Sequence, residues 1–288
     1  MQRHRRGFLL VSASAIAWST AGLFTRIIHL DAWSMLAWRG LFGAAGLAAV
    51  LAGGRGAAWR DLTRLGRWGW VFVLQSAAGM IFFITALRNT TVAHVAVIYA
   101  TVPFFAAGLG WLVLREKPTG RAVAASLVAL AGVALMVGIG REGGILGDVL
   151  ALGMTLTMAV AMVVARHFRD MPFLPAACLA SLISGVLSWP FGQPRAVTGQ
   201  DLLLLAMFGL VTFAVGLPLF TLGARLLPAI ETALIGSLEA PLAPLWVWLL
   251  FNETPAAATI GGGLMVVAAV ILYLAAPQTL RGAAPAQK

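Results

Sequence analysis

Ten apolar stretches of roughly 17–24 residues, each about the ~20 residues a helix needs to cross a bilayer core, fill almost all of this 288-residue chain. They are Phe8–Ile28, Trp33–Ala52, Trp68–Leu87, Val92–Leu114 and Ala122–Ile139, then Gly147–Ala165, Phe173–Phe191, Leu202–Ala224, Ile230–Phe251 and Ala257–Ala276. Most are apolar all round, where a soluble protein's helices would keep a polar outer face. Only 10% of residues are charged, against about 25% in a soluble domain. The longest joint, around Gly53–Arg67, is too short for a domain. The expected fold is an all-α polytopic membrane protein of ten transmembrane helices.

Basic residues orient the chain, because Lys and Arg stay on the cytoplasmic side. One side collects Arg3, Arg5, Arg6, Arg55, Arg60, Arg64, Arg67, Arg115, Lys117, Arg121, Arg166, Arg169, Arg225, Arg281 and Lys288; the other has Arg26, Arg88, Arg141 and Arg195. Both termini are therefore expected in the cytoplasm of a bacterial inner membrane. The net charge of +10 sits at segment ends, not along a groove-sized face, which argues against nucleic acid as a partner. Cys178 has no second cysteine, so no disulfide framework exists. A second reading of the start treats Arg3–Arg6, the apolar run and Ser19-Thr20-Ala21 as a cleavable secretory signal. The tail Pro277–Lys288, rich in Ala, Pro and Gln, is expected to be disordered.

The chain repeats itself. Gly7–Arg26 aligns with Gly147–Arg166 at an offset of 140, and Trp111, Glu116 and Pro118 match Trp248, Glu253 and Pro255 at an offset of 137. Five crossings are an odd number, so residues 147–276 must enter the membrane from the side opposite to residues 1–139. Two inverted five-helix repeats around a central cavity are the architecture from which alternating access is built. Glu116 and Glu253 then belong on opposite sides.

Several motifs carry a resemblance. Ala17-Trp18-Ser19, Leu87–Ala93, Val102–Glu116 with its Pro103, Gly147–Leu152, Leu238-Glu239-Ala240-Pro241 and Gly261-Gly262-Gly263 together resemble the EamA repeat of the drug/metabolite transporter superfamily. The likeness runs from about Phe8 to Ala276. It implies two inverted repeats, a central substrate cavity and transport of small solutes. Within the superfamily the chain is most similar to bacterial exporters of amino acids and metabolites, aromatic amino acid exporters included. It departs from the usual pattern at Ser19, where glycine commonly follows the tryptophan, and at Ala240, inserted between Glu239 and Pro241.

Glu239 is the sharpest candidate, a carboxylate near midplane that must face water, a partner or protein. On an unbroken helix Thr232, Gly236, Glu239 and Trp246 share a face. Pro241 and Pro244 follow, and Pro103 and Pro218 sit in the fourth and eighth segments; each removes a backbone donor, so all four are expected helix breaks. The spacing predicts a proton or a substrate ammonium group on Glu239, or else a bond that only orders the bundle. His94 is a second candidate for proton coupling, set against a histidine bonded to a loop. Tyr99 lies about 140° from His94 on a regular helix, so one narrow site does not take both. Gln75, Gly79 and Phe83, with Phe82, form a polar-to-aromatic stripe. Trp18, Phe24 and Met158, with Phe213 and Phe220, extend an apolar cavity wall, although rings in membrane proteins are more often packing groups or interface anchors. Arg39 is expected to snorkel or to pair with an acid near its end of the second segment, with a substrate role as the alternative.

The small residues of the fifth and tenth segments, among them Ala125, Ala129, Gly132 and Gly261–Gly263, let backbones approach closely. They predict packing helices, within one chain or in a homo-oligomer. No nucleophile elbow, zincin motif or metal-spaced cluster occurs, so catalytic and metal residues and cofactors are expected to be none. The expected partners are a small-molecule substrate, the lipid bilayer and, as a candidate, protons. The expected function is secondary export of amino acids, aromatic or apolar ones among them. The alternatives are a multidrug or other metabolite carrier, a passive channel, or an intramembrane enzyme.

Overall fold

The computed structural model describes residues 2–53, 65–90, 92–137, 144–168, 171–252 and 254–275, without the side chains of residues 92 and 93. Glu253, the tail Pro277–Lys288 and the basic residues Arg55, Arg60, Arg64, Arg141, Arg169 and Arg281 lie outside the described residues. Among the described residues all regular structure is helical, and ten helices are long and apolar enough to span a bilayer.

They are α1 (Gln2–Ile27), α2 (Ala32–Gly53), α3 (Gly66–Asn89), α4 (Val92–Tyr99 and Val102–Leu114) and α5 (Gly120–Val137). The second five are α6 (Ile145–His167), α7 (Phe173–Phe191), α8 (Gly199–Ala224), α9 (Ala229–Gly236 and Glu239–Phe251) and α10 (Ala257–Ala275). These match the ten expected crossings to within a few residues, α1 excepted, which begins six residues earlier at Gln2.

Packing obeys a two-fold rule. Raising a helix number by five, or lowering it by five, turns each main contact into another main contact. α2 on α7 and α5 on α10 map onto themselves; α3 on α6 maps onto α8 on α1, α7 on α3 onto α2 on α8, and α4 on α6 onto α9 on α1. Glycines close the self-paired crossings. A Cβ on Gly40 would sit 2.8 Å from the Gly185 backbone, and one on Gly132 2.6 Å from the Gly262 carbonyl. The small-residue faces of α5 and α10 are thus spent on each other inside one chain.

The repeats break their helices in matching places. In α4 the turn at Ala100 and Thr101 precedes Pro103; in α9 the turn at Ser237 and Leu238 precedes Pro241. A proline has no N–H for the carbonyl four residues back, and the chain tightens just before it. The amides of Thr101 and Leu238 donate three residues back, to the carbonyls of Ile98 and Ile235. Pro244 does not break α9; it lies inside the helical segment Glu239–Phe251. Pro218 does not break α8 either. It follows a π-helical stretch, Leu210–Gly216, whose next amide, Leu217, donates to Thr212 five residues back. Widening the turn relieves the clash a proline ring makes with the preceding turn. In α1 the hydroxyls of Ser19 and Thr20 donate to the carbonyls of Ile16 and Ala17, and the helix is interrupted at Thr20.

Candidate functional site

The two-fold rule fails at one place. The C-terminal half of α4 packs closely on the N-terminal half of α9, whereas the N-terminal half of α4 and the C-terminal half of α9 barely touch. The contact made lies on the face that carries residue 2, called here the terminal face. The contact missing lies toward the opposite face, and the two helices break between the contact made and the one missing.

Tyr99 ends the first half of α4 and Glu239 begins the second half of α9. The two side chains lie within Coulombic range of each other, and both are half-buried. A Cβ on Gly236, one turn before Glu239, would meet nothing within 4 Å, although Gly236 lies in the middle of the bundle. Trp246, two turns after Glu239, donates its indole N–H to the Ser19 hydroxyl at the interruption of α1, 2.8 Å away. Carboxylate, phenol and free space therefore meet where α4 and α9 break. The expected single face of Thr232, Gly236, Glu239 and Trp246 is not continuous, because the turn at Ser237 intervenes. Thr232 is fully buried, its hydroxyl donating to the Pro228 carbonyl.

Other expected cavity residues divide between lining and packing. Trp18 is half-buried; its N–H donates to the Thr212 carbonyl at 2.9 Å and its ring lies 4.8 Å from that of Phe220. Met158, its counterpart, is also half-buried. Phe83 and Tyr99 flank one cluster formed by Ala86, Val95, Ala151 and Met154, so α3, α4 and α6 converge beside the break. Gln75 donates to Ser76 at 2.8 Å, while its carbonyl oxygen is buried without a partner. Phe24, Phe213 and Gly79 lie against neighbouring helices. Phe24 is buried and stacked 5.1 Å from Phe208. Phe213 is buried against Gly43. Gly79 admits the Thr157 hydroxyl, which an added Cβ would meet at 2.5 Å. These three serve packing because the neighbouring helix presses on them.

His94 is bonded to an acid on another helix. Its Nδ1 lies 3.1 Å from Asp148 of α6, which also accepts the Thr90 hydroxyl at 2.7 Å. Sequence reading missed its partner in the symmetry. Glu231 of α9 stands 137 residues after His94, the offset of the repeat. It is 3% exposed and takes two bonds of 2.8 Å, with His4 of α1 and from Tyr273 of α10. One imidazole–carboxylate pair thus ties α4 to α6 at the opposite face, and another ties α9 to α1 at the terminal face. The signal available in sequence was an intramembrane acid at the repeat offset from a histidine.

The terminal face is also closed by charge. Arg166 at the end of α6 bonds Glu116 after α4 at 3.1 Å and donates to the Arg225 carbonyl at 3.0 Å. Arg225 donates to the Met171 carbonyl at 2.6 Å and lies 4.4 Å from the Phe173 ring centre. At the opposite face, Arg26 lies 5.4 Å from the Phe251 ring centre, joining the ends of α1 and α9. Among the described residues no group of three metal-ligating side chains occurs.

Comparison with known proteins agrees with this architecture. A solved structure titled only "Crystal structure of protein" matches 92% of this chain and 96% of its own with a TM-score of 0.76, at 20% identity, a likeness of fold alone. No curated protein matches the chain. The model of the EamA-like transporter family matches twice, over residues 5–138 and 145–275, which are the two five-helix repeats. This multi-pass membrane protein belongs to the EamA-like transporter family, whose members are small-molecule transporters of the drug/metabolite superfamily.

Proposed function

We propose that the protein is a secondary transporter that exports amino acids, aromatic and other apolar ones among them, across a bacterial inner membrane by alternating access. The observation that carries this reading is the one-sided separation of α4 from α9, which begins at Tyr99 and Glu239 and which we read as a cleft. A carboxylate held half-buried at midplane suits an ammonium group or a proton, because either relieves the cost of an isolated charge in the membrane. The half-buried rings of Trp18, Phe83 and Trp246 with Met158 suit the apolar part of such a solute. The basic-residue asymmetry puts the terminal face in the cytoplasm. The cleft then opens outward, and the Arg166–Glu116 and Glu231–His4 contacts belong to the closed inner gate. Reversal of the asymmetry between α4 and α9 exposes the same floor to the cytoplasm.

A second reading keeps the carrier and changes the solute, since Glu239 among rings also suits a cationic drug-like molecule. Liposomes containing the purified protein, offered radiolabelled phenylalanine with and without a pH gradient, test both. Saturable uptake blocked by unlabelled apolar amino acids supports the first reading. Flux blocked by organic cations alone supports the second, non-saturable flux indicates a channel, and product formation indicates an enzyme.

A further inference from the structure

We propose that Arg39 is an anion-binding site in the outer part of the bundle, and that its ligand is the carboxylate of the transported solute. Arg39 lies seven residues into α2, about 10 Å along the helix at ~1.5 Å per residue. A guanidinium at such depth calls for a counter-charge or water. The sequence led us to expect an acid beside it; among the described residues none pairs with it. Its Nε is buried without a hydrogen-bond partner. The acids on neighbouring elements are committed elsewhere: Asp31 accepts the amides of Trp33 and Ser34, and Asp201 closes the capping box with Thr198.

Two aromatic rings hold Arg39 instead. Its Cζ lies 5.0 Å from the Phe208 ring centre and 5.1 Å from that of Phe213. Residues five apart on a regular α-helix point about 140° away from each other. The π-helical stretch that begins at Leu210 changes that angle, so that one cation meets both rings. The contact is backed by a tight crossing, for a Cβ on Gly209 would meet the Arg39 carbonyl at 2.6 Å. Beside these rings the guanidinium still has N–H groups to offer a planar oxyanion, which a carboxylate matches with two parallel bonds. Cation–π contacts offset part of the desolvation but bring no negative charge.

This proposal rests on the transport reading and sharpens it. A solute whose carboxylate suits Arg39 is anionic or zwitterionic, whereas a cationic drug has no use for Arg39. The same chemistry could come from a lipid phosphate, so the test separates the two sources. The full-length protein in neutral detergent is titrated with 3-phenylpropanoate, with 2-phenylethylamine, and with phosphatidylglycerol micelles, reading the unfolding midpoint. The carboxylate is expected to raise the midpoint of the parent. Its Kd should weaken at least tenfold in Arg39→Gln and at least threefold in Arg39→Lys, while 2-phenylethylamine affinity stays within twofold. Arg39→Lys keeps the charge and carries the test alone if Arg39→Gln fails to fold. Equal carboxylate affinity in parent and variants, no binding of 3-phenylpropanoate by the parent, or an Arg39-dependent response to phosphatidylglycerol alone would each overturn the proposal. Binding requires no flux, so a protein that binds through Arg39 and moves no solute sinks the transport reading only.

Discussion

Arg115 and Asn252, the two non-glycine residues with positive φ among the described residues, stand 137 positions apart, at 59° and 56°, and end α4 and α9 on opposite faces of the bundle. The amide of each turns back to a carbonyl of the last helical turn, Trp111 or Trp248. A left-handed residue at this position is how helices commonly stop. Its recurrence at the repeat offset shows that the two halves share backbone conformation where their sequences have diverged.

Replacing Asn252 with Val is expected to destabilise the protein by roughly 1 kcal/mol, because a β-branched residue tolerates the left-handed region poorly. Arg115→Gly should be neutral or stabilising. Thermal unfolding midpoints in detergent check both.

Glycines separate packing from cavity. Gly132→Val places a side chain into the Gly262 backbone, and overpacking costs about 1–3 kcal/mol or prevents folding. Gly236→Ala meets open space, so the unfolding midpoint should correspond to a change below about 1 kcal/mol. The expected contrast appears in paired melting curves. A Gly236→Ala loss as large as that of Gly132→Val would remove the open space from the site.

The two imidazole–carboxylate pairs should differ in weight. Glu231→Ala leaves Tyr273 and His4 without their acceptor inside the bundle, costing about 2–4 kcal/mol. Asp148→Ala breaks a pair whose side chains are 21% and 32% exposed, and water screens it to below about 1 kcal/mol. Glu231→Gln keeps an acceptor and should recover most of the loss. Equal destabilisation by Glu231→Ala and Asp148→Ala in thermal melts would contradict this ordering.

Length and apolarity made the ten spans legible, since a bilayer imposes one dimension on every helix. The inverted repeat was legible from Trp111, Glu116 and Pro118 against their counterparts, and Glu239 from its charge at midplane. The packing partners of Gly79, Phe24 and Phe213 were not legible, because periodicity gives a residue's face but not the neighbour opposite it. Thr157, Phe208 and Gly43 occupy those places. The surroundings of Arg39 were not legible for a related reason. The π turn that brings Phe208 and Phe213 to it depends on how α8 accommodates Pro218, which helical spacing does not encode. Glu231 went unnoticed because its partners lie 227 and 42 residues away.

Counterflow of labelled phenylalanine in Glu239→Gln liposomes tests the central claim most directly. If solute or proton is held by that carboxylate at the floor of the cleft, the rate should fall at least tenfold, about 1.4 kcal/mol, and its dependence on pH should flatten, with an unfolding midpoint near that of the parent. Parent-like counterflow with the parent's pH dependence would contradict it.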